Sequence, residues 1–258
     1  MAELALVTGA SSGIGAEIAR YHAEKGGDLI LTARRADALQ ALKSELEAEH
    51  GITAHVMVAD LAAAGGAEAL CQRIADAGLT IEILVNNAGF GAIGKFIDHD
   101  LAKQQSMIDL NVKALVTLTH AFVAQMVARG RGRILNIGSV AGTTPGPNQL
   151  VYFATKAFVN SFSHALSHEL RRTGVTCTVM TPGFVETEFA EIAGMDETPL
   201  AKSGGDTARH VAKTAYDAMM KGKYWVYNSW SMWFQSRWLV PNVPRRLAMA
   251  EVARRQQK

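Results

Sequence analysis

Cysteine is scarce in this chain. Cys71 and Cys177 are the only two in 258 residues, with no CxxC and no metal-ligand spacing. That pattern argues against a disulfide scaffold and suits a reducing compartment. An excess of either charge is also missing. The 26 Lys and Arg set against 24 Asp and Glu leave +2, so composition announces no basic face for nucleic acid. No apolar run approaches 18 uninterrupted residues, so no transmembrane segment is expected. The opening residues Met1-Ala-Glu-Leu-Ala-Leu-Val-Thr8 are too short for a secretory signal and read as a strand that starts almost at once. Low-complexity segments and short repeats are lacking too. A cytoplasmic location is the expectation.

What is present is a rhythm. Short apolar or β-branched runs at Leu4–Thr8, Leu29–Thr32, Thr53–Val58, Ile83–Asn86, Arg133–Gly138, Thr176–Thr181 and Tyr224–Tyr227 predict seven strands. Most are continuous rather than alternating, as strands buried on both faces should be. Helical stretches such as Ile14–Lys25, Ala38–Glu49, Gln104–Arg129 and Gln149–Thr173 fall between them, with Gly130, Gly132 and Gly174 as stop signals. Such alternation predicts an α/β fold: one doubly wound domain with a seven-stranded parallel sheet and helices on both faces. Residues 1–227 are expected to form it. Residues 228–258 read as an aromatic-rich, basic extension.

The turn after the first strand reads Thr8-Gly-Ala-Ser-Ser-Gly-Ile-Gly15. Glycines there let the backbone bend tightly and approach a pyrophosphate, whose charge meets free N–H groups at the next helix start. Gly9, Ser11, Ser12, Gly13, Ile14 and Gly15 are therefore candidates for holding a dinucleotide. The end of the second strand lacks the carboxylate that would accept the 2′-hydroxyl of NAD; it reads Leu31-Thr-Ala-Arg34-Arg35. A guanidinium fork suits a 2′-phosphate, so NADP(H) is the expected cofactor, with Arg34 as the contact and Ser11 as a helper. Arg35 reads as a solvated helix-start residue.

Tyr152-Phe-Ala-Thr-Lys156 places a phenol and an ammonium one helical turn apart on one face. A neighbouring cation can lower a phenol's pKa by about 1–3 units, which makes it a usable proton donor or acceptor. Ser139 follows the strand Ile134–Gly138, at the C-terminal end of a central strand, where open α/β sheets bind ligands. Asn111 is a polar residue in a well-patterned helix, and Asn86-Asn-Ala-Gly89 closes the fourth strand. Singly, each of these can be a cap, a turn or a satisfied amide.

Together they resemble the short-chain dehydrogenase/reductase family. The resemblance runs from Leu4 to about Tyr227 and rests on Thr8-Gly-x-x-x-Gly-x-Gly15, Asp60-Leu61, Asn86-Asn-Ala-Gly89, Asn111, Ser139, Tyr152-x-x-x-Lys156 and Pro182-Gly183-x-x-x-Thr187. It implies a Rossmann-type fold and an NADP(H)-dependent interconversion of a ketone or aldehyde with its alcohol. It implies that Tyr152 is the general acid or base and that Lys156 lowers its pKa and holds the nicotinamide ribose. Ser139 would bind the carbonyl oxygen, and Asn111 would hold a water linking Lys156 to solvent. Asp60 and Leu61 would meet the adenine and Asn87 the adenosine ribose. Val185 and Thr187 would hold the carboxamide, with Pro182 and Gly183 also among the cofactor contacts. The hydride chemistry belongs to the cofactor and requires no metal. A homodimer or homotetramer through the helices containing Asn111 and Tyr152 is also implied.

Residues 188–206, punctuated by glycines and Pro199, suit a mobile lid. Phe189, Ile192, Met195 and Leu200 in it point to a hydrophobic substrate. Trp230, Trp233, Phe234 and Trp238 fall at helical spacing beside Arg237. Such a stripe suits a peripheral membrane contact or a lipophilic cap. It equally suits packing on the domain or a subunit. The Trp-rich end is similar to the branch of the family with long-chain ketoacyl and hydroxysteroid reductases. A 3-oxoacyl reductase of fatty-acid metabolism is therefore an alternative, and a non-catalytic NADP-sensing or membrane-surface protein is one of a different class.

Overall fold

The computed structural model describes residues 3–257. At its centre β1 (Leu4–Thr8) runs parallel between β2 (Asp28–Thr32) and β4 (Ile83–Asn86). The full sheet has the order β3-β2-β1-β4-β5-β6-β9, with β3 at Ala54–Val56, β5 at Gly132–Ile137, β6 at Val175–Met180 and β9 at Trp225–Val226. Every pairing in it is parallel. The seven expected strands all form, the third and the last shorter than their apolar runs.

Continuous apolar runs are explained by two cores, one on each side. Val7, Leu29, Leu31, Val85 and Leu135 pack under α1 (Gly13–Ala23), α2 (Ala36–His50) and α9 (Ala208–Met220). Their strand neighbours Leu6, Ile30, Leu84 and Ile134 face the other way. There they meet α3 (Gly66–Asp76) and α5 (Leu115–Arg129). Alternate side chains of one strand thus enter different cores. Each fully buried aliphatic side chain contributes about 1.5–3 kcal/mol.

Helix α4 (Leu101–Ile108) runs into α5 through a π turn at Asp109–Ala114. The continuous helix Leu101–Arg129 is long and apolar enough to cross a bilayer by length and composition, a criterion that counting uninterrupted runs misses. Here Leu118, Phe122 and Met126 lie against the sheet, as in a core helix. Helix α6 (Leu150–Glu169) lies across β6 and the end of β5.

Past β6, a two-stranded pair, β7 (Val185–Glu186) with β8 (Asp206–Thr207), closes the base of a flap holding α7 (Phe189–Ala193) and α8 (Pro199–Lys202). After β9 come α10 (Trp230–Phe234), a π turn at Gln235–Leu239 and α11 (Arg245–Arg255). The aromatic stripe turns outward: Trp230 is 73% exposed, Trp238 and Leu239 are exposed, and Trp230 stacks on Phe234 with centroids 5.4 Å apart. Met232 and Ser236 face inward, toward the cleft described next.

Candidate active site

The order of strands places the site. The chain leaves β1 toward β2 on one side, and β4 begins the other half of the sheet. The loops at these strand ends therefore diverge and open a crevice. A cleft of about 1410 Å³ fills it.

At one end lies the glycine turn. Gly9 and Gly13 have φ of +66° and +56°, a left-handed backbone that favours glycine. A Cβ on Gly15 would sit 2.4 Å from both the Gly9 carbonyl oxygen and Asn87 Nδ2. Asn87 Nδ2 in turn donates to the carbonyls of Thr8 (2.9 Å) and Gly9 (3.3 Å), which ties the end of β4 to the turn. Ser12, the residue before α1, makes no side-chain cap, so the first N–H groups of the helix face the cleft without one. Arg34 and Arg35 stand beside them. This donor set fits an anionic dinucleotide. Ser11, Ser12, Ile14, Asp60 and Leu61 line the same end, and Pro182, Gly183, Val185 and Thr187 line the cleft further along.

Arg35 is more engaged than the sequence suggested. It donates to the Ser11 hydroxyl from Nε (3.3 Å) and NH2 (3.2 Å), and it pairs with Glu188 at 2.8 Å. That bond holds the Glu188 carboxyl below its usual range, with a hydrogen bond from Ser12 assisting. The bridge joins the end of β2 to the first residue of the flap.

The other end is built on one face of α6. Tyr152, Lys156 and Asn160 recur every four residues and meet the end of β5. Asn160 Nδ2 donates to the Ser139 carbonyl at 3.0 Å, and Ser139 Oγ accepts from the Ala141 N–H at 3.0 Å. The Ser139 side chain and the Tyr152 phenol line the same cleft. Lys156 is 6% exposed and donates to the Ile137 carbonyl at 2.7 Å; its Nζ lies 5.9 Å from the Tyr152 ring centroid. Burial pushes the phenol up to about 12, with Ser139 pulling it back, and burial lowers the ammonium to about 8. The expectation of a phenol already lowered by its lysine is therefore corrected. Both groups are desolvated, and the ammonium is spent on a backbone carbonyl.

Two of the expected residues do not line the cleft. Gly15 sits behind the turn, where it admits Asn87. Asn111, 2% exposed, has its amide fully taken: Oδ1 accepts from Phe90 N–H (3.1 Å), while Nδ2 donates to Phe90 O (3.0 Å) and Thr155 Oγ1 (3.1 Å). The side chain thus pins the loop after β4 to α6. Any link from this position to Lys156 falls to the backbone of the π turn, where regular helical bonding is interrupted.

Sequence reasoning missed three contributors. Gln149 lines the cleft three residues before Tyr152, a spacing that alone puts it on the same face. Asn160 shares that signal. The third is the C-terminal segment: Met232, Val240, Val243, Leu247 and Val252 also line the cleft, a role that the sequence reading did not assign to them.

The sequence model described as short chain dehydrogenase matches residues 3–197. Sulfoacetaldehyde reductase 2 of Chromohalobacter salexigens is 40% identical over 210 residues, 81% of this chain and 79% of that protein. The NADP-dependent 3-hydroxy acid dehydrogenase of Salmonella typhi is 39% identical over 228 residues, 86% of this chain and 88% of that protein. A short-chain dehydrogenase from Sphingobium yanoikuyae, solved with NADPH, superposes with a TM-score of 0.83 at 31% identity, covering 98% of this chain and 93% of that one.

Proposed function

The chain belongs to the short-chain dehydrogenase family, as an oxidoreductase acting on alcohol and carbonyl groups, and from that premise we propose that it reduces a hydrophobic ketone or aldehyde with NADPH, Tyr152 being the general acid. One observation carries this reading: Ser139, Tyr152 and the buried Lys156 lie in the same cleft as the arginine-flanked glycine turn.

Bound in the cleft, NADPH supplies the hydride. The Tyr152 phenol gives its proton to the carbonyl oxygen, and the Ser139 hydroxyl donates a second hydrogen bond as negative charge gathers there. Lys156, held by Ile137, lies behind the phenol as the residue to hold the nicotinamide ribose. Asn111 and Asn160 position these groups through Phe90, Thr155 and the Ser139 carbonyl. A preference for NADP(H) over NAD(H) is supported by Arg34, Arg35 and the missing acid at the end of β2, and the Salmonella relative is likewise named NADP-dependent. The flap and C-terminal wall, with Phe189, Ile192, Leu200, Met232 and Val240, support an apolar substrate.

A reductase of acyl-carrier-protein thioesters would want a basic rim. The cleft offers Lys103 and Arg255 beyond the residues already named, and Arg255 is paired with Glu251 at 2.7 Å, so the free carbonyl compound is the preferred reading. The exposed Ile108, Val127, Leu150 and Phe158 along α4 to α6 support a homodimer or homotetramer through those helices. Two unpaired thiols accord with a cytoplasmic location.

NADPH oxidation over carbonyls graded from short aldehydes to long-chain ketoesters and steroids tests the reading. Tyr152→Phe should lower turnover of any accepted substrate by about 100-fold or more while NADPH still binds. Undiminished turnover in that variant would remove Tyr152 from the chemistry.

A further inference from the structure

Hydrogen bonding continues beyond the end of β6 on both of its sides. Toward β9, the Val179 N–H donates to the Tyr224 carbonyl at 3.0 Å and the Thr181 N–H to the Val226 carbonyl at 2.8 Å. In the same register the Gly183 N–H would meet the carbonyl of Asn228. It meets the Asn228 side chain instead, whose Oδ1 accepts at 3.1 Å. Asn228 thus adds one more rung with its side chain while its backbone leaves the sheet for α10. Toward β5, the Val140 N–H, next to Ser139, donates to the Pro182 carbonyl at 3.0 Å. The Pro182–Gly183 peptide group is therefore gripped at both ends. Its carbonyl is held by the turn that carries Ser139 and its N–H by Asn228. All of these residues line the cleft.

The other end of the Asn228 amide is held too. Its Nδ2 donates to Asp206 Oδ2 at 2.9 Å, and His210 Nδ1 donates to the same oxygen at 2.7 Å. A peptide N–H can only donate and a carboxylate can only accept, so the two partners admit a single orientation of the amide. Turned over, it would set its NH2 group against the Gly183 N–H and its oxygen against the Asp206 carboxylate. Burial works against that carboxylate, but the hydrogen bonds from Asn228 and His210 outweigh it and hold the pKa below the usual range. Asp206 lies in β8, opposite Val185 at the base of the flap. One buried amide, 9% exposed, therefore joins the end of β6, the end of β9 and the flap.

We propose that Asn228 is a positioning residue, which fixes the Pro182–Gly183 peptide against the Ser139 turn and so shapes the wall that receives the nicotinamide end of NADPH. The inference rests on the NADPH-reductase reading above and deepens it, since in that reading the end of the cleft beside Ser139 is where the hydride is transferred. Asp206 acts one step further back, by holding the amide the right way round. None of these bonds reaches the glycine turn, Arg34 or Arg35. The adenosine end is thus left to a separate set of residues.

The test separates the two ends of the cofactor by binding. NADPH carries both ends, whereas 2′,5′-ADP carries the adenosine and its 2′-phosphate without a nicotinamide. Each is titrated into the protein, NADPH by fluorescence and 2′,5′-ADP by calorimetry. Asn228→Ala should weaken NADPH about 10-fold and leave 2′,5′-ADP within about twofold. Asn228→Asp keeps an acceptor for Gly183 but sets two carboxylates side by side, and should weaken NADPH at least as much. Adding Asp206→Asn to it exchanges amide and carboxylate, restores a donor and an acceptor between the two positions, and should recover most of the affinity. Should Asn228→Ala fail to fold, as read by circular dichroism, the comparison of Asn228→Asp with the double variant decides. Unchanged NADPH affinity, an equal loss for both ligands in a folded variant, or a double variant no better than Asn228→Asp overturns the inference while the cofactor reading stands. A wild type that binds neither ligand overturns both.

Discussion

Tyr152 and Lys156 show how little a spacing says about protonation. One helical turn puts the two groups side by side, but burial acts on each separately, raising the phenol and lowering the ammonium to about 8. If the ammonium's charge is what makes the phenol a competent acid, carbonyl reduction should weaken as the pH rises and Lys156 gives up its proton. We expect kcat/KM to fall through about pH 8, and Lys156→Arg, whose guanidinium stays charged, to move that fall upward. A flat wild-type profile from about pH 7 to pH 9.5 would count against it. The candidate catalytic positions stand out in the sequence because each is a chemically distinct residue in a distinct motif. Gln149 and Asn160 do not, since an amide on a helix face is ordinary until it is seen to line a cleft or its nitrogen to meet a carbonyl. The pairing of Arg35 is not legible in the sequence because its partner, Glu188, is far along the chain.

Among the elements, strands were easier to read than what joins them. Strands buried on both faces give unbroken apolar runs, whose two-sided packing explains the pattern. Their ends were less certain, because pairing rather than hydrophobicity sets them; Thr53–Val58 pairs only over Ala54–Val56. The π turn in the Leu101–Arg129 helix leaves no mark on a 3.6-residue period. His22, on α1, joins elements that sequence separates. Its Nδ1 accepts from the Tyr216 hydroxyl on α9 at 2.9 Å, and Nε2 donates to the carbonyls of Glu3 (2.9 Å) and Asp28 (3.1 Å) at the starts of β1 and β2. This arrangement holds the ring neutral, and burial lowers its pKa below the usual 6.5. The unfolded chain takes up the proton first as pH falls, so the stabilisation is complete above about pH 6.5 and is lost below it. The melting temperature should be lower at about pH 5 than at about pH 7.5. His22→Gln should shrink that difference, and an equal pH response in both proteins would show that other groups govern it.

For the molecule as a whole, the C-terminal segment is more than an appendage in space. It presents aromatic rings outward and walls the cleft with its inner face. Substrate size should therefore be read partly by α11. Val252→Asp, which puts a charge into that wall, should raise KM for bulky apolar ketones about tenfold, in line with the loss of one buried aliphatic contact. Small ketones should be affected much less. Equal effects on both would place Val252 away from the bound substrate. The spacing in 228–258 did not foretell this wall, because on the cleft-facing side of α11 only Leu247, Ala248 and Val252 are apolar and the rest of the wall comes from shorter turns.

The sheet order has a consequence in time. Strand β6 is flanked on one side by β5 and on the other by β9, the last strand of the sheet to be made. On a ribosome adding about 5–20 residues per second, β6 waits seconds for Trp225 and Val226 to emerge. Until they do, its outer row of amides and carbonyls is an open template for any passing strand. Two paired residues, Val179 with Trp225 and Met180 with Val226, are what end that exposure. The newborn chain is thus most vulnerable to its own neighbours just before the sheet is complete.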